Sequence, residues 1–206
     1  MIKKYTGGPV ACNAFLVECA SGCVLVDAPQ GVAEWVARTL PEGKPLSHLI
    51  ITHQHFDHVQ GVAAVQQRYP ECVVHAHSAY SPALTLEEAA AGWGIPPVEP
   101  YRVDDVFGSS CASADWAGDE WQLIYVPGHS ADGMAYLHVD SGCLFVGDIL
   151  FAGSVGRTDF PGGNMVQLVR GIRTHLAVLD PHTEVFSGHG PSTSIGEELL
   201  NNPYIA

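Results

Sequence analysis

The chain has 206 residues, 47% of them hydrophobic, and this length and composition predict one folded domain and exclude a disordered protein. Nine lysines and arginines against 22 aspartates and glutamates give a formal net charge of −13. That charge disfavours a nucleic acid or an anionic membrane surface as a partner, because both are negatively charged. No apolar run in the sequence reaches the length of a membrane-spanning helix.

The six cysteines contain no C-x-x-C pair, and most lie in apolar runs typical of strands, where a reduced thiol packs as a small hydrophobic group. We therefore interpret all six as free thiols: Cys12, Cys19, Cys23, Cys72, Cys111 and Cys143. The sequence also shows no clean signal-peptide cleavage site. Both features favour cytoplasmic residence.

Strand and helix patterns alternate through the first 75 residues. Short apolar runs predict strands at 10–18, 23–26, 48–51 and 72–75. Helical spacing of apolar residues predicts helices at 31–40 and 59–69. This β-α-β-α-β order indicates a mixed α/β fold.

Regular patterns fail between residues 82 and 118, where only 84–92 has helical spacing and where proline and glycine mark loops. We interpret 82–118 as a lid-like insertion within a single domain that covers 1–206. The tryptophans around it are expected to pack in the core rather than to contact a substrate: Trp93, Trp116 and Trp121. Tyr101 has the same two possible roles.

The second half predicts an antiparallel meander followed by further helices and a strand. The predicted strands are 121–126, 134–139, 143–146 and 184–186, and the predicted helices are 164–179 and 194–200. Ser194 and Glu197 form a capping pattern at the start of the last helix. Two halves built in this way predict two sheets packed face to face, with helices outside.

The stretch 52–58 carries the strongest chemical signal, a His-x-His-x-Asp-His cluster preceded by Thr52. Three imidazoles and a carboxylate this close together add no apolar contact, and each needs a partner if buried. A metal ion supplies such a partner. The preceding strand and the following helix place the cluster on a strand-to-helix loop.

Four more polar residues follow predicted strands: Asp27, His129, Asp148 and His189. The last three have glycine neighbours, which allow close backbone approach. Together with the cluster they supply enough ligands for two metal ions. Six other histidines match no motif and are expected to have no role at the site: His48, His75, His77, His138, His175 and His182.

The set formed by 52–58, His129, Asp148 and His189 resembles the metallo-β-lactamase superfamily over nearly the whole chain. The resemblance implies an αββα four-layer sandwich with a dinuclear metal site on one edge. It also implies ligand roles: His53, His55 and His129 for the first ion, Asp57, His58 and His189 for the second, and Asp148 for both. Asp27, Thr52 and Asp159 are expected to support the ligands from outside.

The segment 147–163 most resembles short, single-domain glyoxalase II-like hydrolases. The resemblance implies hydrolysis of a small thioester by a hydroxide held between two ions and oriented by Asp57. Zinc is the first choice of metal, and iron or manganese also suits these ligands. Only 17 residues (206 − 189) follow His189, whereas glyoxalase II has a C-terminal helical domain that binds glutathione, so the thiol carrier stays open.

Arg157 lies where the resemblance places a basic residue that contacts the thiol carrier, so it is a candidate for binding a substrate carboxylate. An ion pair with Asp159 that braces the loop is the other interpretation. Alternative functions are a persulfide dioxygenase-like enzyme with one iron, a lactonase or other ester hydrolase, and a non-enzymatic metal-stabilised scaffold. The expected partners are a small thioester or ester, and the expected assembly is a monomer or homodimer.

Overall fold

The computed structural model describes residues 1–109 and 112–206, and its first sheet has six strands. They are β1 Ile2–Gly7, β2 Cys12–Glu18, β3 Cys23–Val26, β4 Leu46–Ile50, β5 Val73–Ala76 and β6 Asp105–Val106. Their spatial order follows the chain. The pairs β1–β2 and β2–β3 are antiparallel, whereas β3 to β6 are parallel. Parallel neighbours require crossovers, and each of the three crossovers contains a helix.

The second sheet has the order β14-β13-β10-β9-β8-β7. Its strands, and the separate hairpin β11–β12, are β7 Ser113–Trp116, β8 Asp119–Tyr125, β9 Met134–His138, β10 Cys143–Gly147, β11 Leu150–Phe151, β12 Ser154–Val155, β13 Glu184–Ser187 and β14 Thr193–Ser194. Antiparallel pairing of β8, β9 and β10 confirms the predicted meander.

The helices lie on the outer faces of the two sheets. They are α1 Val32–Thr39, α2 Phe56–Val59, α3 Val62–Arg68, α4 Glu87–Gly92, α5 Met165–Gly171 and α6 Ile195–Asn201. A π-helical turn, Ile172–Leu176, continues α5, and a 3-10 turn, Val139–Ser141, follows β9. No helix within 1–109 or 112–206 is long and apolar enough to cross a membrane.

Alternation along the strands separates three apolar layers. In β2, Phe15 and Val17 face the space between the sheets, whereas Ala14 and Leu16 face the layer under α1 and α3. Successive side chains of a strand point to opposite faces, so one strand serves both layers. A third layer joins the second sheet to α5 and α6. The fold is therefore the predicted αββα sandwich, in a single domain.

Two predicted elements have different bounds in the structure. The single helix predicted at 59–69 is interrupted at Gly61, whose amide donates to the Ala28 carbonyl at 2.7 Å. A Cβ atom at Gly61 would lie 2.5 Å from the Pro29 carbonyl oxygen, so only glycine permits this approach. The helix predicted at 164–179 is shorter, because its second half is the π-helical turn.

The N-terminal strand β1 and the strands inside 82–118 were not predicted. β1 has mixed polar and apolar residues and is the edge of its sheet, so it lacks the apolar run that marks a buried strand. The stretch 82–118 contains α4, β6 and β7. Because β6 closes the first sheet and β7 begins the second, this stretch connects the two sheets. Ser110 and Cys111 lie outside the described residues.

Candidate metal centre

The candidate ligands follow the ends of strands that meet at one edge of the sandwich. The loop 51–58 follows β4, His129 lies between β8 and β9, and Asp148 and His189 follow β10 and β13. Strands β10 and β13 are parallel neighbours, so their carboxyl ends lie at the same edge. The structure thus brings together residues that are up to 136 positions apart (189 − 53).

The first cluster consists of His53, His55 and His129, whose ligand nitrogens lie within 4.8 Å of one another. Nε2 of His129 is 3.0 Å from Nδ1 of His55. Burial lowers the pKa of all three imidazoles, and repulsion from neighbouring imidazoles adds to this effect at His53 and at His55, whose pKa falls to about 3. Neutral imidazole is the form that binds a metal ion.

The second cluster contains Asp57, His58 and His189. Oδ2 of Asp57 is 3.1 Å from Nε2 of His189 and 3.7 Å from Nε2 of His58. The Cys12 sulfur belongs to the same group, with all four ligand atoms within 4.8 Å of one another. Burial disfavours the charged form of His58, but the anionic groups around it raise its pKa well above the usual value. This cluster therefore favours a positive charge.

Asp148 lies between the two clusters. Its Oδ1 atom is 3.3 Å from Nε2 of His58, and its Oδ2 atom is 3.6 Å from Nε2 of His189 and 3.7 Å from Nε2 of His129. Burial opposes ionisation of Asp148, but the imidazoles, His58 first among them, hold its pKa below the usual carboxyl value. One carboxylate thus presents an oxygen to each cluster.

Neighbouring acceptors orient three of the rings. Nδ1 of His58 lies 2.8 Å from the Asp27 carboxylate, and Nδ1 of His129 lies 2.7 Å from the Arg157 carbonyl oxygen. Nδ1 of His53 lies 3.2 Å from the Thr52 hydroxyl. A hydrogen on each Nδ1 satisfies these contacts, so that Nε2 of each ring, when neutral, is the atom left to bind a metal ion.

Asp27 connects three parts of this arrangement. Its carboxylate accepts hydrogen bonds from the Thr52 amide and hydroxyl, each at 2.8 Å, as well as from His58. Its backbone has φ 59°, which Asp adopts more readily than most residues. Asp159 lies further from the ligands: its carboxylate binds the guanidinium of Arg157, whose carbonyl accepts from His129.

Three buried ligand atoms have no hydrogen-bond partner in the described part of the chain: His53 Nε2, His58 Nε2 and Asp148 Oδ1. Lone pairs buried in this way are costly unless a cation or donor satisfies them. His138 provides the contrast, since its two ring nitrogens contact Ser141 and Asp119 at 2.7 and 2.9 Å. The residues at the site therefore fit divalent metal ions.

Gly188 allows the two clusters to come together. A Cβ atom at this position would lie 2.4 Å from Oδ1 of Asp148 and 2.5 Å from Cε1 of His58. Contacts this short would displace one or both ligands. The glycine before His189 is thus required by the space around Asp148.

Two supporting networks were not predicted from the sequence. Asp132 accepts from the Gln54 amide at 3.1 Å and from the Ser130 hydroxyl, and the Tyr101 hydroxyl donates to Gln54 Oε1 at 2.7 Å. Burial raises the pKa of Asp132. These contacts hold Gln54, and with it the loop 51–58 that carries four of the candidate ligands. Asp132 follows His129 by three positions in a turn, and no sequence pattern distinguishes it from a solvated turn residue.

The other unpredicted network holds the hairpin that follows Asp148. Buried Glu198 on α6 accepts from the Gly153 amide at 2.9 Å, the Thr193 hydroxyl at 2.6 Å and the Asn202 side chain at 2.7 Å. Asn202 also donates to the Ser154 carbonyl at 3.0 Å. The C-terminal helix therefore anchors β11–β12 and the segment next to Asp148.

Replacing Tyr101 with phenylalanine is expected to lower the free energy of unfolding by about 1 to 3 kcal/mol, because Gln54 Oε1 would be left buried without a donor. Urea denaturation of the metal-loaded protein measures this change. Tyr80→Phe is the matched control, since the Tyr80 hydroxyl donates to the only partly buried Glu87 carboxylate, which water can still reach, and its loss should cost less than the loss in Tyr101→Phe. Equal losses in the two variants would contradict the role given to Tyr101.

The site is bordered by an aromatic wall, which consists of Phe160 and Trp93. The Phe160 ring centroid lies 5.9 Å from that of His55 and 6.0 Å from that of Trp93. Trp93 is 55% exposed, so the expectation that it packs in the core was wrong, whereas Trp116 and Trp121 are buried as predicted. The exposed position of Trp93 follows from its place just after the short surface helix α4.

Arg157 lies beside this wall. Its guanidinium is 4.1 Å from the Phe160 ring centroid and makes two contacts with Asp159, at 2.7 and 2.6 Å. Both side chains are more than half exposed. The loop-bracing ion pair is thus present. The Phe160 ring, which the guanidinium contacts, is also the ring that neighbours His55.

Helix, sheet, sheet and helix layers, with two His and Asp clusters at one edge, place the protein among the metallo-hydrolases. The family model described as the metallo-beta-lactamase superfamily matches residues 7–189, and the chain belongs to this superfamily. Members of the superfamily are metal-dependent hydrolases that bind one or two ions.

Three similar proteins bear on the chemistry. A Haemophilus influenzae protein named hydroxyacylglutathione hydrolase GloC is 30% identical over 179 residues, covering 86% of this chain and 84% of that protein. A structure described as BLEG-1 B3 metallo-beta-lactamase has a TM-score of 0.88, 31% identity and coverage of 100% and 99%. A structure of TTHA1623 in a di-iron-bound form has a TM-score of 0.82, 33% identity and coverage of 98% and 100%.

Proposed function

We propose that the protein hydrolyses small thioesters of the S-2-hydroxyacylglutathione kind at a dinuclear metal centre. The observation that carries the proposal is the position of Asp148 between two clusters that each offer three further ligands. His53, His55 and His129 would hold one ion, and Asp57, His58 and His189 the other. The name of the similar hydroxyacylglutathione hydrolase supports the substrate class.

When bound, two such ions lower the pKa of a coordinated water and polarise a carbonyl oxygen. The protein's own groups then determine orientation. Asp57, next to His189 at the second cluster, can accept a hydrogen bond from the attacking water and so direct its lone pair towards the carbonyl carbon. Asp27, Thr52 and the Arg157 carbonyl fix the imidazoles, which keeps their free nitrogens directed at the site.

Zinc is the proposed metal, although imidazole and carboxylate ligands also suit iron and manganese, and the similar di-iron structure supports a dinuclear site. The stretch 82–118 and the loop that carries Arg157 are proposed to form the two sides of the substrate entrance, where Trp93 and Phe160 already meet. Cytoplasmic residence and a monomeric or dimeric state stay predictions.

The proposal is tested by turnover of metal-loaded protein on a panel of substrates. We expect an S-2-hydroxyacylglutathione to be hydrolysed, with activity lost on chelation and restored by zinc. Background rates on this thioester, together with cleavage of a lactone or a β-lactam, would reject the substrate class. Oxygen uptake with glutathione persulfide and no hydrolysis would instead establish the persulfide dioxygenase alternative.

Replacing Arg157 with alanine is expected to lower kcat/KM for a glutathione thioester. The loss should correspond to about 1.5 to 3 kcal/mol of transition-state stabilisation, the scale of a charge-assisted contact. A neutral thioester should be affected little, because it has no carboxylate for the guanidinium. Asp159→Ala is the matched control, since it breaks the same exposed ion pair but keeps the cation. Equal losses on both thioesters in both variants would show that the pair only braces the loop.

A further inference from the structure

Cys12 is a buried thiol that the ligand set above does not use. It opens β2 and is 0% exposed. Its sulfur lies within 4.8 Å of ligand atoms from Asp57, His58 and His189. Its electrostatic neighbours are His58, Asp57 and Asp27. No other described cysteine lies in a group with the candidate ligands.

The fold explains why this side chain faces the second cluster. Alternation along β2 places Cys12 on the same face as Ala14 and Leu16, which is the helix-covered face of the first sheet. The short helix α2, which carries Asp57 and His58, packs against β2. The thiol therefore lies on the face of β2 that α2 covers, close to these two residues.

An independent observation indicates that this space takes a cation. Nε2 of His58 is buried without a hydrogen-bond partner, while its Nδ1 contacts Asp27. The facing oxygen of Asp148, 3.3 Å away, also has no hydrogen-bond partner in the part of the chain described. A lone pair directed at a carboxylate oxygen is repulsive, and a proton on the nitrogen or a metal cation between the two atoms removes that repulsion. The Cys12 sulfur lies within 4.8 Å of a ligand nitrogen of the same imidazole.

We propose that Cys12 supplies a thiolate ligand to the second metal position, together with Asp57, His58 and His189. The inference rests on the dinuclear centre proposed above. On binding, the S–H bond breaks, the proton passes to solvent and a sulfur–metal bond forms, without any change of oxidation state. The contact of the thiol with the Asn13 carbonyl, at 3.5 Å, is lost in exchange.

A thiolate ligand would make the two metal positions chemically different. The first would have three imidazoles, whereas the second would have one soft sulfur ligand. Sulfur ligands favour zinc and other softer ions over manganese. The second position should therefore discriminate against manganese more strongly than the first.

Cobalt(II) replacement tests the proposal directly. The wild-type protein loaded with two cobalt ions should show a thiolate-to-cobalt charge-transfer band in the near ultraviolet, and Cys12→Ser should lose it. Cys72→Ser is the matched control, since Cys72 is also buried but lies outside this group, and it should keep the band. A two-cobalt wild-type protein without the band, or a band that persists in Cys12→Ser, would overturn the proposal.

A measurement on unmodified protein covers a variant that fails to fold. X-ray absorption of the zinc-loaded wild type should show a sulfur scatterer at about 2.3 Å, the usual zinc–sulfur distance, and only nitrogen and oxygen scatterers would reject the ligand. Thioester turnover separates this result from the proposed function. Sulfur ligation without turnover rejects the substrate class alone, and turnover without sulfur ligation rejects Cys12 alone.

Discussion

Asp148→Ala should lose both metal ions and at least about 1,000-fold in kcat/KM, which corresponds to several kcal/mol of transition-state stabilisation. The reason is geometric, since one carboxylate faces His58 with one oxygen and His129 and His189 with the other. Without it, two groups of imidazoles face each other with less negative charge to hold cations between them. Elemental analysis of the purified variant and turnover of the thioester measure the two losses.

Two further variants sharpen this experiment. His189→Ala should weaken mainly the second ion, because His189 contacts Asp57 in the second cluster. Asp119→Ala is the matched control. It removes a carboxylate from a His-Asp pair formed by the first residue of β8 and the last residue of β9, at the ends of these strands away from His129, so both ions should stay bound. Two retained ions per chain in Asp148→Ala would contradict the position given to Asp148.

The second large effect is expected from Asp27→Asn, which keeps the size of the side chain and its tolerance of a positive φ. The new amide group must face the Thr52 donors or Nδ1 of His58, so at least one buried donor loses its acceptor. Groups that orient metal ligands in this way typically contribute about 10- to 100-fold to metal affinity or activity. The unfolding free energy should also fall by about 1 to 3 kcal/mol.

Competition with a chromophoric chelator measures the affinities, and the loss should concern the second ion more than the first, because His58 belongs to the second cluster. Asp115→Asn is a suitable control, since this exposed carboxylate also accepts from a backbone amide, that of Gly118. Unchanged affinity in Asp27→Asn, with activity intact, would show that Thr52 and His58 keep their positions without the carboxylate.

Sequence patterns single out the residues that the structure gathers at one edge, because the local chemistry of each position is distinctive. The cluster at 53–58 has no packing role, and His129, Asp148 and His189 each follow a strand. The sandwich itself follows from alternation and from the order of elements. The polar positions after strands and the alternation within strands can each be read from a few consecutive residues, so they can be recognised without knowledge of long-range contacts.

The groups that were not predicted depend on pairings between distant segments. Glu198 looks like a surface residue of a short helix until Gly153 and Thr193 are placed beside it. Cys12 resembles any small apolar residue of a strand until α2 is packed on β2. Strand β1 could not be predicted for the same reason, since it contains lysines and is recognised as an edge strand only from its pairing with β2.

The distribution of the ligands along the chain has a consequence for biosynthesis. Four proposed ligands lie between residues 53 and 58, but the proposed first set is completed by His129 and the second by His189, 136 positions after His53. A chain growing on the ribosome from its N-terminus thus holds only partial sets of donors for most of its synthesis. Because incomplete and flexible sets of donors bind metal weakly, we expect tight metal binding only after the segments from residue 53 to residue 189 have folded together.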